Sequence, residues 1–373
     1  MSGVNGNEII QLFESWSPKK YACMPNDPIG LALGTLNKEV HKVLVTLDVT
    51  DAVVDEAIAN KCELIIAHHP PIFAKLSNLR TDNPQGKLYE KIIKNDIAVY
   101  AAHTNLDVAP GGVNDLLADA LQLENRRVLD ETYAESLMKL AVYIDVENAD
   151  MMREVLAKAG AGNLGDYEAC SFSLEGTGRF RPQEGADPYI GEVGVIEQVR
   201  EEKVEVVFSS ALKNRVLKAM LNAHPYEEPA YDLMEMAIDT NKQGLGRIGT
   251  LAEPMTLKEF AEFVKVQLDV PALRVVGPLD AVVRKVAVIG GDGNKYVRTA
   301  KFAGADVFVT GDIGFHVAQD AEVNGLNIVD PGHHVEKVMI AGVARKMSEL
   351  CAGKKLNVKF IESKVHTEPF KFI

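Results

Sequence analysis

Cysteine is scarce in this chain. Four residues among 373 (Cys23, Cys62, Cys170 and Cys351) lie far apart, and none forms a C-x-x-C pair. Such usage suits buried, reduced thiols in a cytoplasmic protein better than a disulfide frame or a thiolate metal site. Any metal must then be held by nitrogen and oxygen. Positive charge is also short: 40 Lys and Arg face 53 Asp and Glu, a net charge of −13. That balance argues against a nucleic-acid partner. No apolar run reaches the length of a membrane span. The opening residues lack a signal peptide's basic-then-apolar layout and are not Arg-rich, so a cytoplasmic location is expected. No G-x-S-x-G or activated-cysteine context occurs, which argues against covalent hydrolase chemistry. What remains is a globular composition, 47% hydrophobic and 25% charged, long enough for two or three domains.

The stretch 63–73, E-L-I-I-A-H-H-P-P-I-F, stands out. Its apolar run predicts a short buried strand over 64–67. Two histidines follow, and Pro70 and Pro71 force the chain out of the sheet. Two imidazoles thus arrive at the carboxyl end of a strand, where open α/β sheets bind ligands. Around it, strands are predicted over 29–36, 43–47 and 97–102, and helices over 7–16, 51–60 and 87–94. This alternation means βαβ units and a largely parallel sheet.

The C-terminal part repeats the plan at an offset of 243 residues: Lys42-Val43 aligns with Lys285-Val286, Ala57 with Ala300, and Glu63 with Asp306. His68-His69 falls on Gly311-Asp312, and a thirteen-residue gap then puts His103 over His333. Two such α/β halves would face each other across a cleft. Between them lies a different segment. It predicts strands over 138–144, 167–174, 192–198 and 203–209, and helices over 149–159 and 212–222, with a polar loop at 176–182. The segment reads as the β-α-β-β-α-β order of a ferredoxin-like sandwich. Its H-P-Y-E-E-P segment, 224–229, reads as a solvated charged turn. The domains expected are 1–125, 126–239 and 240–373: one α/β domain in two pseudo-repeated halves, carrying an inserted α+β domain.

Three strand ends offer metal donors: His68-His69, His103 to Asp107, and His333 to Glu336. A two-ion site needs ligands from separate segments and a carboxylate that bridges the ions. His333 and Glu336, at i and i+3, share a helix face, which makes Glu336 the candidate bridge. His69 and Asp107 would complete one ion, and His68 with His333 the other. His103 reads as a group that orients a ligand, and Asp312 as one that orients water or substrate. His316 and His334 read as structural. Gly290-Gly291-Asp292-Gly293 reads as a tight strand–helix turn, since it lacks the rest of a phosphate-binding fingerprint.

Taken together, A-H-H-P-P-I-F, A-A-H-T-N-L-D, V-T-G-D-I-G-F-H and D-P-G-H-H-V-E, in that order round a long insert, resemble the Nif-three-like family. These are dinuclear-metal proteins often labelled GTP cyclohydrolase 1 type 2, and the likeness covers essentially the whole chain. The insert, with H-P-Y-E-E-P-A-Y-D, is similar to that of the longer bacterial (YqfO-type) members, whose middle domain resembles PII and CutA-like trimeric domains. The resemblance implies metal ligands at His68, His69, Asp107, His333 and Glu336. It also implies a toroidal homohexamer, a dimer of trimers, with its metal sites facing an interior cavity. Only two residues separate His333 from Glu336, where some shorter relatives have three. The function expected is a metal-dependent hydrolase with two divalent ions per subunit, zinc first and iron or manganese next. Its substrate would be a nucleotide or phosphoester, the family label naming GTP ring opening, with Asp312 or His103 as proton shuttle. The alternative is a non-catalytic regulatory hexamer that binds metal or ligand, with a PII-like sensor insert.

Overall fold

The structure, a computed structural model, describes residues 3–373, the side chains of Asp239 and Asn241 excepted. The chain divides into two compact units, 1–133 with 243–373, and 134–242. Strands of a covered parallel sheet are buried on both faces and therefore read as unbroken apolar runs. Three of them, β2 (Lys42–Thr46), β3 (Leu64–Ala67) and β4 (Ala98–Ala101), lie between the edge strands β1 (Gly30–Leu33) and β13 (Lys359–Glu362) in one sheet of order β13-β2-β3-β4-β1. All its neighbours are parallel except β1 on β4. The crossovers are α2 (Asp51–Asn60) and α3 (Pro84–Lys94), whose first turns are capped by the Thr50 and Asn83 side chains.

A second sheet in this unit has the order β9 (Arg274–Val276), β12 (Asn327–Asp330), β11 (Val307–Gly311), β10 (Val282–Asp292), then the C-terminal part of β8 (Tyr231–Thr256). One face of each sheet turns to a common core. Val43, Val45, Leu64 and Ile66 share it with Val286, Val288, Val307 and Val309. The helices α5 (Val113–Ala120) and α11 (Val338–Gly353) contribute Leu117, Met339 and Val343 to it. The alternate residues point outward: Leu44 and Ile65 pack with Val54 and Ala57, while Ala287 and Phe308 pack with Ala300. Period-two alternation thus sets which helices each strand meets.

The same backbone clamp occurs in both sheets. Glu63 accepts from the amides of His41 and Lys42 at 3.0 Å each, and Asp306 accepts from those of Arg284 and Lys285 at 3.0 and 2.7 Å. Lys42 Nζ donates to the Asn60 carbonyl at 2.9 Å, and Lys285 Nζ to that of Ala303 at 2.8 Å. Val43 pairs with Leu64 as Val286 pairs with Val307. In the third strands the ladder corrects the sequence alignment by one residue. Leu64 stands opposite Ala98, and Val307 opposite Asn327, so the connection is fourteen residues shorter, not thirteen. His103 therefore corresponds to Gly332 rather than His333.

In the second unit the strand order is the N-terminal part of β8, then β5 (Glu124–Asp145), β7 (Glu197–Ser209) and β6 (Phe172–Phe180), with β7 antiparallel to both β5 and β6. The helices α6 (Ala149–Lys158) and α7 (Lys213–Ala223) cover one face through Met152, Leu156, Val216 and Met220. The expected boundaries shift here. Residues 176–180, read as loop, belong to β6, because they pair with Glu197–Glu201 of β7. The strand expected over 192–198 begins only at Glu197 and is continuous with the one expected over 203–209. Glycine and charge in an exposed edge strand masked its periodicity. Among the described residues no helix is long and apolar enough to cross a membrane.

Candidate metal centre

The strand path continues past β3. His68 and His69 donate their amides to the carbonyls of Thr46 and Leu47 at 3.1 and 2.9 Å before Pro70 ends the pairing. Each ring is then turned by its own acceptor. His68 Nδ1 donates to the Ala102 carbonyl at 2.8 Å and His69 Nδ1 to Asp48 at 2.7 Å, with the ring centroids 5.0 Å apart. β4 leads through His103 into the one-turn helix α4 (Thr104–Val108), which buries Asp107. β12 leads through Gly332, at φ +87°, into a 3-10 helix, His333–Lys337. In that helix type residues i and i+3 eclipse, and His333 Nε2 lies 3.2 Å from Glu336 Oε2. The expected pairing of these two is met by a tighter helix than the α-helix assumed.

Glu336 Oε2 is the hub. It lies 3.1 Å from His69 Nε2, 3.2 Å from His333 Nε2 and 3.6 Å from His68 Nε2. His68 Nε2 is also 3.6 Å from Asp107 Oδ1, and both of these atoms are buried without a hydrogen-bond partner. His68, His69 and Glu336 can place one ligand atom each within 4.8 Å of one another. Of the five donors expected from the sequence, these three converge, while His333 reaches the cluster through Glu336 and Asp107 through His68.

The charges are strongly coupled there. Burial opposes a charge on His69, but Asp48 and Glu336 outweigh it and hold the imidazole up to about 10. Glu336 itself, against the effect of burial, raises His333 to about 9, with Asp312 contributing. Burial would raise Glu336, yet the three surrounding imidazoles hold its carboxyl well below the usual range. Burial and the Glu336 charge push Asp107 the other way, upward. Buried groups that gain so much from a positive charge are suited to a cation at their centre.

Three residues acting on the donors were invisible in the sequence. Asp48 holds His69 from the end of β2. Asp27, a loop residue whose side chain is shielded from solvent, accepts from His103 Nδ1 at 2.8 Å. Burial works against its charge, but hydrogen bonds from His103 and Thr104 keep it ionised. Asn114 links the two strand systems, donating to the Asp107 carbonyl and accepting from the Gly290 amide at 3.0 Å each. Nothing in residue type or spacing signals these partners. The Gly290-Gly291 pair has a sharper role than a strand–helix turn. A Cβ on Gly290 would meet Glu336 Oε1 at 2.9 Å, and one on Gly291 at 2.7 Å, so the glycines form the floor under the hub. Asp312 accepts from His333 Nδ1 at 2.7 Å, so it orients a histidine. His316 reaches Gln319 at 3.2 Å, and His334 lies 3.3 Å from Thr367, whose hydroxyl also bonds Asp48.

Comparison with known proteins agrees over the full length. The family model described as Duf34/NIF3 (NGG1p interacting factor 3) matches residues 4–369. The chain belongs to this family. It is 56% identical over 370 residues, 99% of each chain, to a Bacillus subtilis protein named GTP cyclohydrolase 1 type 2 homolog. A Listeria innocua protein of the same name is 45% identical over 100% of both chains. Among solved structures, a Bacillus cereus protein related to NIF3 superposes with a TM-score of 0.92 at 54% identity, and a Staphylococcus aureus protein with 0.85 at 34%, each covering 100% of both chains.

Proposed function

We propose that this Duf34/NIF3 protein binds two divalent ions per chain and is a metal-dependent hydrolase acting on a nucleotide or phosphoester. One observation carries the reading. Four imidazoles are each fixed through Nδ1, three by carboxylates (Asp27, Asp48, Asp312) and one by a carbonyl, so that Nε2 is the nitrogen left for a ligand. Metal-binding histidines are built this way, because the second hydrogen bond sets tautomer, orientation and basicity. The buried, unpartnered His68 Nε2 and Asp107 Oδ1 fit the same purpose.

In this reading His68 and Asp107 would hold one ion and His69 and His333 the other, with Glu336 available to both. This regroups the donors expected from the sequence without changing their identity. Nitrogen and carboxylate ligands suit zinc, and also iron or manganese. Bound there, such ions would lower the pKa of water and polarise a substrate oxygen. His103 is the proton carrier in this reading. Its ring centroid lies 5.5 and 6.0 Å from those of His68 and His69, and Asp27 orients the ring. Asp312 serves His333 instead. The names of the relatives point to GTP as the first substrate to try.

The repeated clamps support a duplicated α/β scaffold, and the strand order of 134–242 supports a ferredoxin-like insert. Exposed Phe172 and Leu174 on its edge strand support assembly of copies, as a trimer within a hexamer. The deciding experiment loads the chelator-treated protein with zinc, manganese or iron. Metal content and turnover of GTP and a phosphoester panel are then measured. Two ions per chain with turnover are expected. Two ions without turnover under any metal would leave a metal-binding regulatory protein, and fewer than two would remove the dinuclear site.

A further inference from the structure

We propose that residues 134–242 hold a second ligand site, a cavity that takes a nucleoside phosphate whose base carries two adjacent N–H donors, the edge presented by guanine. The cavity measures about 880 Å³ and is lined by this unit alone. That is ample for a nucleotide-sized ligand. Its wall is aromatic and organised on Tyr226, whose ring centroid lies 6.4 Å from that of Phe180 and 6.0 Å from that of Tyr189. Every base has a π-face that such rings can stack upon.

Tyr226 belongs to the H-P-Y-E-E-P segment, and it is held in place. Buried His224 donates from Nε2 to the Tyr143 carbonyl at 3.0 Å and accepts the Tyr226 amide on Nδ1 at 3.1 Å. Its ring packs 4.9 Å from the tyrosine ring. The segment is therefore no merely solvated turn. The Tyr226 hydroxyl is buried without a hydrogen-bond partner, and the Glu201 carboxylate lies beside it without closing a bond of ordinary geometry. The sequence makes room for that carboxylate. A Cβ on Gly178 of the paired strand would sit 2.2 Å from Glu201 Oε2. An ionised carboxylate only accepts, so it matches the adjacent N–H groups of guanine and opposes the ring-nitrogen lone pair of adenine. Arg179 and Arg181 line the same cavity and supply charge for a phosphate.

The test uses the full-length, chelator-treated protein and titration calorimetry with GTP and ATP. One GTP per chain is expected, with ATP at least about tenfold weaker, the discrimination one paired hydrogen-bond contact provides. Glu201→Gln should erase the preference, and Tyr226→Ala should weaken both nucleotides about tenfold, while Tyr226→Phe keeps the stacking surface. Thermal unfolding of Glu201→Gln matching that of the parent excludes a folding defect. His69→Ala, in the other unit, should leave GTP affinity unchanged, which separates this site from the metal centre. Equal affinity for GTP and ATP, no binding, or binding lost in His69→Ala and retained in Glu201→Gln would overturn the proposal.

Discussion

The two clamped strand systems share their backbone contacts and differ at their strand ends. Both hold the start of a strand with an acidic clamp and a lysine at equivalent positions, and both pair their first two strands in the same register. Their strand ends differ. The N-terminal half ends β3 in His68-His69 and places Asp48 beneath them. The C-terminal half has Gly311-Asp312 there and Gly291 at the position of Asp48. Asp48 supports a histidine, whereas Gly291 must be small because Glu336 lies over it. Identical frames can thus serve opposite needs: one side projects donors, and the other clears space for the carboxylate they converge upon. In the proposed reading, function resides in a few strand-end residues rather than in the frame.

The strongest way to break that division of labour is at the hub. Glu336→Ala removes the one carboxylate shared by three imidazoles, so both ions should be lost, with affinity falling more than about a hundredfold. The metal-free variant should also be less stable by about 3 kcal/mol, because buried imidazoles lose their counter-charge. Elemental analysis and denaturant unfolding read the two effects. Two ions retained at parental affinity would refute Glu336 as the bridge.

A smaller effect distinguishes the supporting carboxylates. Asp48 and Asp312 each orient a histidine, but the Asp48 side chain is 31% exposed and that of Asp312 46%. Asp48→Asn should cost zinc affinity toward the upper end of about ten- to a hundredfold, and Asp312→Asn toward the lower end. The pH dependence follows from the same contacts. In the metal-free protein His69 and His333 are raised to about 10 and about 9. Their stabilising contribution is complete below the unfolded value of about 6.5 and is lost as pH rises through 9 to 10. Zinc needs both imidazoles neutral, so its affinity should rise across that window, and binding near pH 7 should release protons. Calorimetry in buffers of different ionisation enthalpy measures the release. An enthalpy independent of buffer would contradict the charge assignment.

What could be read in advance follows from where information sits in a chain. His68, His69, Asp107, His333 and Glu336 could be singled out because each is a donor at the end of an apolar run, a local pattern. Asp48 and Asp27 could not, since their roles exist only through contacts 21 and 76 residues away. The floor formed by Gly291 is equally non-local. β6 is hard to place from sequence because an edge strand with glycine and charge shows little alternation. Tyr226 reads as part of a charged turn with its acidic neighbours, because the placing of its hydroxyl depends on His224 and on strands far off in sequence.

The finest test of the comparison addresses the frame itself. If the halves are equivalent scaffolds, the two clamps should contribute alike although one serves a histidine-bearing strand and the other a glycine-bearing one. Glu63→Gln and Asp306→Asn each weaken a carboxylate that accepts from two consecutive amides, at a cost of about 1 kcal/mol in denaturant unfolding. Neither residue approaches the hub, so metal stoichiometry should hold at two ions in both variants. A loss confined to one variant, or metal lost with Glu63→Gln alone, would mean that the N-terminal clamp has been drawn into the site. The halves would then differ in their frames as well as their strand ends.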